Sequence, residues 1–443
     1  MAVFVTNGTI DEEAEIVFAK AAERTAKDTC AASSLELLGR GELLARFVKA
    51  AGQVWPTTIE GTRQLLNLMA QDGRAMPDPK VIAEVLTATA PPPAPGTSQP
   101  ERSAHLNAML LVAEIAKAPW YATSNHYALH AITVLAAMHG LRFADQPARK
   151  TAVVNYASLA LEHGHDLLSE ARAARFDPAT IWSEQDTLSE FDIMRERGRL
   201  VGDVAATLLL ADATTDSGER TYAADVVRKT FEAPMMWGFA CVPAFIIRWW
   251  AMARIDATQQ PDRQFAQVLG AIIDASLGQA GRSPLPGPYY GFLDVWAWMS
   301  DIRYVGDDAI FEDNFSRRVW FGRAMLQMIA KRNWKQTSKG LWSSYSKPIH
   351  EEPDLPASQF NDARLVRGQG RLRSFTFQRK EWVELIAEAV DEHEGAFLQP
   401  HADLAWLIAA YVALVPYRAW TGVLMWLDHR LNATWYAPGR VAS

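Results

Sequence analysis

The chain has 443 residues, a net charge of −7, 49% apolar residues, sixteen Trp and two Cys. That length and apolar content exclude a small stapled scaffold and a disordered chain, and favour several domains or one extended helical array. The isolated Cys30 and Cys241 exclude a disulfide framework or a cysteine-built metal site; two buried, reduced thiols and a reducing compartment are expected.

Residues 1–13 hold no basic stretch followed by an apolar one, so no signal peptide is read there. Helix starts then follow in chain order. Thr9-Ile-Asp-Glu12, Thr57-Thr-Ile-Glu60 and Thr187-Leu-Ser-Glu190 have the capping-box form, in which the hydroxyl accepts an N–H three residues on and the carboxylate reaches back. Asp177-Pro178 places a cap before a proline at the first helical position. Periodicity predicts helices near 10–28, 34–54, 58–73, 78–89, 102–118, 124–141, 147–175, 187–212 and 217–232. Others are predicted near 238–256, 261–279, 290–302, 311–334, 380–395 and 401–431. The fold class is therefore all-α, about 13–15 helices in a bundle or irregular array. One short strand-like segment near 371–379 alternates residue types with period two.

Pro91-Pro-Pro-Ala-Pro-Gly-Thr-Ser-Gln-Pro100 cannot be crossed by a helix, because proline gives no N–H and clashes with the preceding turn. It divides an N-terminal helical docking domain, 1–90, from a main helical domain, 102–443, through a linker at 91–101. No fixed repeat period links the helices.

The apolar run 404–427 has the length of a membrane span, with Trp and Tyr near both ends. Arg418 falls near its centre, where an arginine costs about 2.5–3.5 kcal/mol on an insertion scale, and Pro416 breaks its backbone ladder. A pair of buried core helices is expected, with a membrane-associated component of a secretion or conjugation apparatus as the alternative. The expected location is the cytoplasm.

Charge is unevenly placed. Residues 317–380 carry fourteen Lys and Arg against four acids, a net of +10 that leaves −17 elsewhere. Arg317, Arg318, Arg323, Lys331 and Arg332 are interleaved with Trp320, Phe321 and Trp334. Arg364, Arg367, Arg371, Arg373, Arg379 and Lys380 accompany Phe375 and Phe377. Guanidinium forks match phosphate or carboxylate oxygens, and a one-sided field of this kind draws anionic partners. The leading expectation is a non-catalytic helical interaction component of a larger bacterial assembly. It would bind protein partners and an anionic surface, whether nucleic acid, anionic lipid or acidic protein, through this segment. No cofactor or phosphate-loop motif, nucleophile elbow or zinc-protease signature is found, which lowers the expectation of an enzyme.

Six of ten His fall between 105 and 165. His126 and His130 share a helix face, and the next helix carries His163-Gly-His165-Asp166. His130, the adjacent His165-Asp166 pair and a later Asp203 or Asp212 have the order of ligands in the metal-dependent HD-type phosphohydrolases, which they resemble over about 80 residues. The Gly-Lys pair that often follows His-Asp in that family is replaced by Leu167-Leu168. The resemblance implies a divalent metal held by His130, His165, Asp166 and Asp203, generating a hydroxide nucleophile for phosphate-ester hydrolysis.

Overall fold

The computed structural model describes residues 2–5, 12–27, 35–38, 55–175, 190–232, 239–255, 260–277, 318–336, 341, 344–362, 371–376 and 392–431. In chain order these hold β1 (Ala2–Val5), α1 (Glu12–Lys27), β2 (Leu35–Leu38), α2 (Ile59–Met69), α3 (Pro79–Thr89), α4 (Gln99–Ala116), α5 (Ala118–Ala122), α6 (His126–Gly140) and α7 (Pro147–Ala173). After them come α8 (Glu190–Leu210), α9 (Ser217–Glu232), α10 (Val242–Ile255), α11 (Gln260–Leu277), β3 (Arg318–Trp320), α12 (Gly322–Lys331), β4 (Ile349–Asp354) and β5 (Arg371–Phe375). A 3-10 segment, Glu392–Leu404, leads into α13 (Ala405–Leu414) and α14 (Thr421–Leu431). The chain is mostly α-helical, with a short strand where the 371–379 alternation places one.

Short polar side chains start the helices. Thr58 accepts from Gly61 N at 3.0 Å, Asp78 from Lys80 N at 2.8 Å, and Asn125 from Ala128 N at 3.1 Å. Each satisfies one of the first-turn N–H groups that has no intrahelical partner. The capping residue of α2 is Thr58, one position after the Thr57 of the sequence motif. Helix α6 is the centre of the molecule. Every residue from Tyr127 to Gly140 is buried, and α3, α4, α7, α8 and α13 all pack against it. A helix apolar on every face has no solvent side to turn outward. The surrounding helices form one apolar core from Leu65 to Leu431, and Leu65, Ile82 and Leu86, on the N-terminal side of the proline-rich segment, belong to it. Cys241 is buried, while Cys30 lies outside the described residues.

Three predicted helices are corrected. Within 34–54 the described residues form β2, paired in parallel with β1 from Ala2↔Leu35 to Val5↔Leu38. Within 311–334 a strand precedes the helix: β3 pairs in parallel with β4, and Phe321, at φ 60°, turns the chain out of strand geometry before α12 begins. A left-handed residue cannot sit inside a right-handed helix. Within 401–431 the chain breaks at Val415–Ala419, because Pro416 has no N–H to continue the ladder. The run at 404–427 is thus two buried helices of 10 and 11 residues joined by a kink. The helical stretch Gly395–Leu414 is long and apolar enough to cross a membrane by length and composition, and half of it is buried inside the protein. Arg418 is buried at the kink, donating to the carbonyl of Asp362, whose carboxylate lies 3.6 Å from Arg142.

The second sheet has the order β3-β4-β5, with β5 antiparallel to β4 from His350↔Phe375 to Asp354↔Arg371. Beside it, Asp428 of α14 accepts both terminal nitrogens of Arg332, at 2.7 and 2.8 Å, and Trp250 Nε1 at 2.8 Å. The side chains of Arg332 and Asp428 are 3% and 0% exposed. The guanidinium also stacks over Trp249 at 4.6 Å. One buried carboxylate therefore ties α10, α12 and α14 together. Asp428→Ala would strand a buried guanidinium and is expected to cost about 3–5 kcal/mol in urea unfolding, whereas replacing the pair together, Arg332→Met with Asp428→Leu, costs far less.

His350 in β4 is 1% exposed, bonded to the Tyr345 carbonyl at 2.9 Å, and burial pushes its pKa from 6.5 to about 4. The unfolded chain takes up this proton as pH falls below 6.5, while the folded chain resists it until about 4. The contribution is full above 6.5 and declines over that window. His350→Gln is expected to flatten the acid side of the stability curve by up to about 3 kcal/mol, read as denaturant midpoints across that range.

Candidate functional site

At the outer end of the α6–α7 pair, polar groups collect in an otherwise apolar core. Asn125 holds the start of α6 in place, its side-chain amide donating to the carbonyls of Gly73 and Arg74, both at 3.1 Å. This fixes His126 in the first turn. On α7, His163, Asp166 and Glu170 stand at i, i+3 and i+7, one face of a helix, and that face meets His126. His126, His163 and Asp166 each offer a ligand atom, and these atoms lie within 4.8 Å of one another. His126 Nδ1 is 3.6 Å from Asp166 Oδ2, and its Nε2 is 3.1 Å from Glu170 Oε1. Among the described residues, His126 Nδ1 and Glu170 Oε2 are buried atoms with no hydrogen-bond partner. The Glu170 hydrogen bond raises the His126 pKa against the opposing effect of burial. Asp166 is 59% exposed, so the cluster opens to solvent.

Behind it lies Lys117, with 0% of its side chain exposed. Its Nζ is 2.5 Å from Glu114 Oε1, 3.1 Å from Thr133 Oγ1 and 3.5 Å from His163 Nε2. Tyr156 donates to Glu114 at 2.7 Å and Tyr121 at 3.3 Å, and the Tyr121 hydroxyl is also 3.4 Å from His163 Nε2. Burial lowers the Lys117 pKa, opposed by Glu114, and lifts the Tyr121 hydroxyl to about 12. The pKa of His163 falls to about 3, first through burial and then through Lys117, so the imidazole is neutral with a lone pair to give. Buried, mutually perturbed groups of this kind gather at functional sites more than elsewhere.

The four metal ligands read from the sequence are not brought together. His130 is neutral and buried, held through Nδ1 to the Ala160 carbonyl at 2.8 Å, its pKa near 4. His165 turns to Glu219 of α9 at 2.5 Å. Asp203 lies 3.3 Å from Arg248, and Asp212 faces Arg220 and Arg254. Asp166 alone keeps its place. Residues two apart on a helix are about 200° apart around its axis, so His163 and His165 cannot face the same site. The sequence signal for the cluster was the i, i+3, i+7 spacing of His163, Asp166 and Glu170. Lys117, Glu114, Tyr121 and Tyr156 had none.

The basic residues divide. Arg323 pairs with Glu352 at 3.0 Å and lies over Phe375 at 4.3 Å, Arg332 pairs with Asp428, and Arg373 lies 3.5 Å from both Glu352 and Asp354. These three described arginines thus face the molecule's own carboxylates. Lys331 is half-buried at the end of α12. Arg318 and Arg371 fall in β3 and β5. Arg317, Arg364, Arg367, Arg379 and Lys380 lie outside the described residues.

Comparison of the chain with protein-family models, curated proteins and solved structures finds no match.

Glu114 is the only carboxylate bonded to Lys117 among the described residues. Glu114→Ala is expected to destabilise the protein by about 2 kcal/mol or more, the value for a fully buried pair being reduced because this carboxylate is one-third exposed. Lys117→Met in the same chain recovers part of the loss, and a double-mutant cycle in urea measures that coupling.

Proposed function

We propose that the protein binds a divalent transition metal at His126, His163 and Asp166 and uses it for metal-assisted hydrolysis. The observation that carries this reading is the convergence of two imidazoles and a carboxylate within 4.8 Å, beside buried ring and carboxylate atoms without partners. Two donors at ~2.0–2.2 Å from one tetrahedral zinc stand about 3.3–3.6 Å apart, and the 3.6 Å between His126 Nδ1 and Asp166 Oδ2 agrees with that spacing. Glu170 has the role that carboxylates take beside metal-binding histidines: it accepts the other ring N–H, fixes the tautomer and makes the imidazole more basic.

Three protein ligands with a solvent-open side describe a catalytic rather than a closed structural site. A metal there supplies Lewis acidity and an acidified water. The protein's own groups do the rest. Glu170 orients His126, Asn125 fixes the turn that carries it, and the Lys117 cluster holds His163 from behind. The reaction class matches the one that the order of His and Asp in the sequence suggests, carried by a different set of residues.

Titration of chelator-stripped protein with zinc, cobalt and manganese by calorimetry tests this directly. One equivalent is expected to bind, with a tetrahedral cobalt absorption band. His126→Ala and Asp166→Ala abolish binding, whereas His165→Ala retains it. The loaded protein is expected to turn over ester or phosphoester substrates that the stripped protein leaves intact. Absence of binding for all three metals, or loss of binding in His165→Ala alone, overturns the assignment.

A further inference from the structure

The proposed metal centre opens along a stripe of acids. Glu162, Asp166 and Glu170 stand at i, i+4 and i+8 on α7, so they rise from successive turns on one side of the helix. Glu162 and Asp166 are exposed, and Glu170 is half-buried. Like charges four residues apart destabilise a helix. Nothing on α7 relieves them, since residues 151–171 hold no Lys or Arg. Among the described residues, no Lys or Arg lies within ion-pair distance of Glu162 or Asp166. Tyr121 of α5 borders the same opening. It is 46% exposed, and its ring meets His163 at 5.7 Å between centroids. Burial, then Glu114, and after them Glu162 all raise the pKa of its hydroxyl, which sets the Glu162 carboxylate beside this opening.

The charges here do not cancel when a divalent ion is counted with them. Lys117 and Glu114 neutralise each other, and the ammonium is fully enclosed. Asp166 and Glu170 balance the two positive charges of the ion, whose imidazole ligands are neutral. Glu162 is left over and faces solvent. We infer that the substrate of this site is an ester or amide with a positively charged group near the bond to be cleaved, and that Glu162 and the Tyr121 ring receive that group. The inference rests on the metal-site reading above and narrows it. Carboxylate and aromatic face both favour an organic cation. A phosphate monoester carries about −1.5 to −2 at neutral pH and is repelled by the same surplus charge.

The test loads the full chain with cobalt and titrates it with three hydroxamates of one chain length. These are ε-aminocaproyl hydroxamate, caproyl hydroxamate and adipoyl monohydroxamate, which end in a positive, a neutral and a negative group. All share the metal-binding head, so the change in the cobalt absorption band reports each affinity, and the ratios isolate the far charge. The positive probe is expected to bind at least about fourfold more tightly than the neutral one, the value for one charge pair ~5 Å apart in water, and the negative probe more weakly than either. The spread narrows as salt is added. Glu162→Gln removes the surplus charge without touching a metal ligand and is expected to bring the positive and neutral probes to equal affinity. Equal affinities for all three probes in the wild-type protein, or tightest binding of the negative one, overturn this inference while the metal centre stands. A chain that binds no cobalt overturns both.

Discussion

A charge taken into the interior of a helical array must bring its counter-charge, because the cost of removing either ion from water is several kcal/mol and only a close, well-bonded partner offsets it. Helix α6 makes this constraint acute. It is enclosed on all sides, so the elements around it bury surface of their own against it and against one another. Lys117, Arg248, Arg332 and Arg418 are all carried into this interior. Three of them meet a carboxylate there: Glu114, Asp203 and Asp428 respectively for Lys117, Arg248 and Arg332. Arg418 instead donates to the carbonyl of Asp362. None of these pairs joins neighbours on one helix except Lys117 with Glu114. They fasten helices far apart in sequence, such as α12 to α14, and so specify which helices meet as well as how firmly.

The same rule changes how the basic segment reads. A surplus of ten positive charges over 317–380 invites an external anion, yet Arg323, Arg332 and Arg373 face Glu352, Asp428 and Asp354. Glu352 is the hub. It takes Arg323, approaches Arg373, and accepts the first backbone N–H of α14 from Thr421 at 3.1 Å, where the positive end of the helix dipole favours a carboxylate. Part of the local charge therefore holds sheet to helix.

The helices were legible because their signals are local. The capping motif at Thr57–Glu60 and the proline-rich break before α4 act within a few residues and depend on little else. The failures share a cause. Nothing within 311–334 distinguishes Arg318–Trp320 as a strand: its strand character comes from pairing with β4, some thirty residues on, and Phe321 enters the left-handed region to make that pairing possible. Likewise β2 is a strand because β1 lies beside it. Of the proposed site, the sequence marks the histidine-rich interval, and Asp166 is the one sequence-read ligand that the cluster holds; His165 lies about 200° around the helix from His163 and faces Glu219 instead. Lys117 could not be foreseen, since its burial is decided by the turn at α5 and by Tyr156 and His163 arriving from α7, while Glu114 lies one turn back on its own helix.

The place of the proposed metal centre follows from a competition of fields. His126 stands in the first turn of α6, where the helix dipole presents roughly half a positive charge and opposes a cation. Asp166 and Glu170 bring two full negative charges to within 3.6 Å of the imidazole, and Glu114 neutralises the ammonium behind His163. The carboxylates outweigh the dipole by about fourfold in charge, so the balance at the mouth favours a cation. The imidazole is also held from both sides, by Asn125 through the backbone and by Glu170 through the ring. A site in which helix start, tautomer and net field all favour one position for a metal has little freedom left to rearrange. Binding there would cost less reorganisation than at an exposed pair of acids.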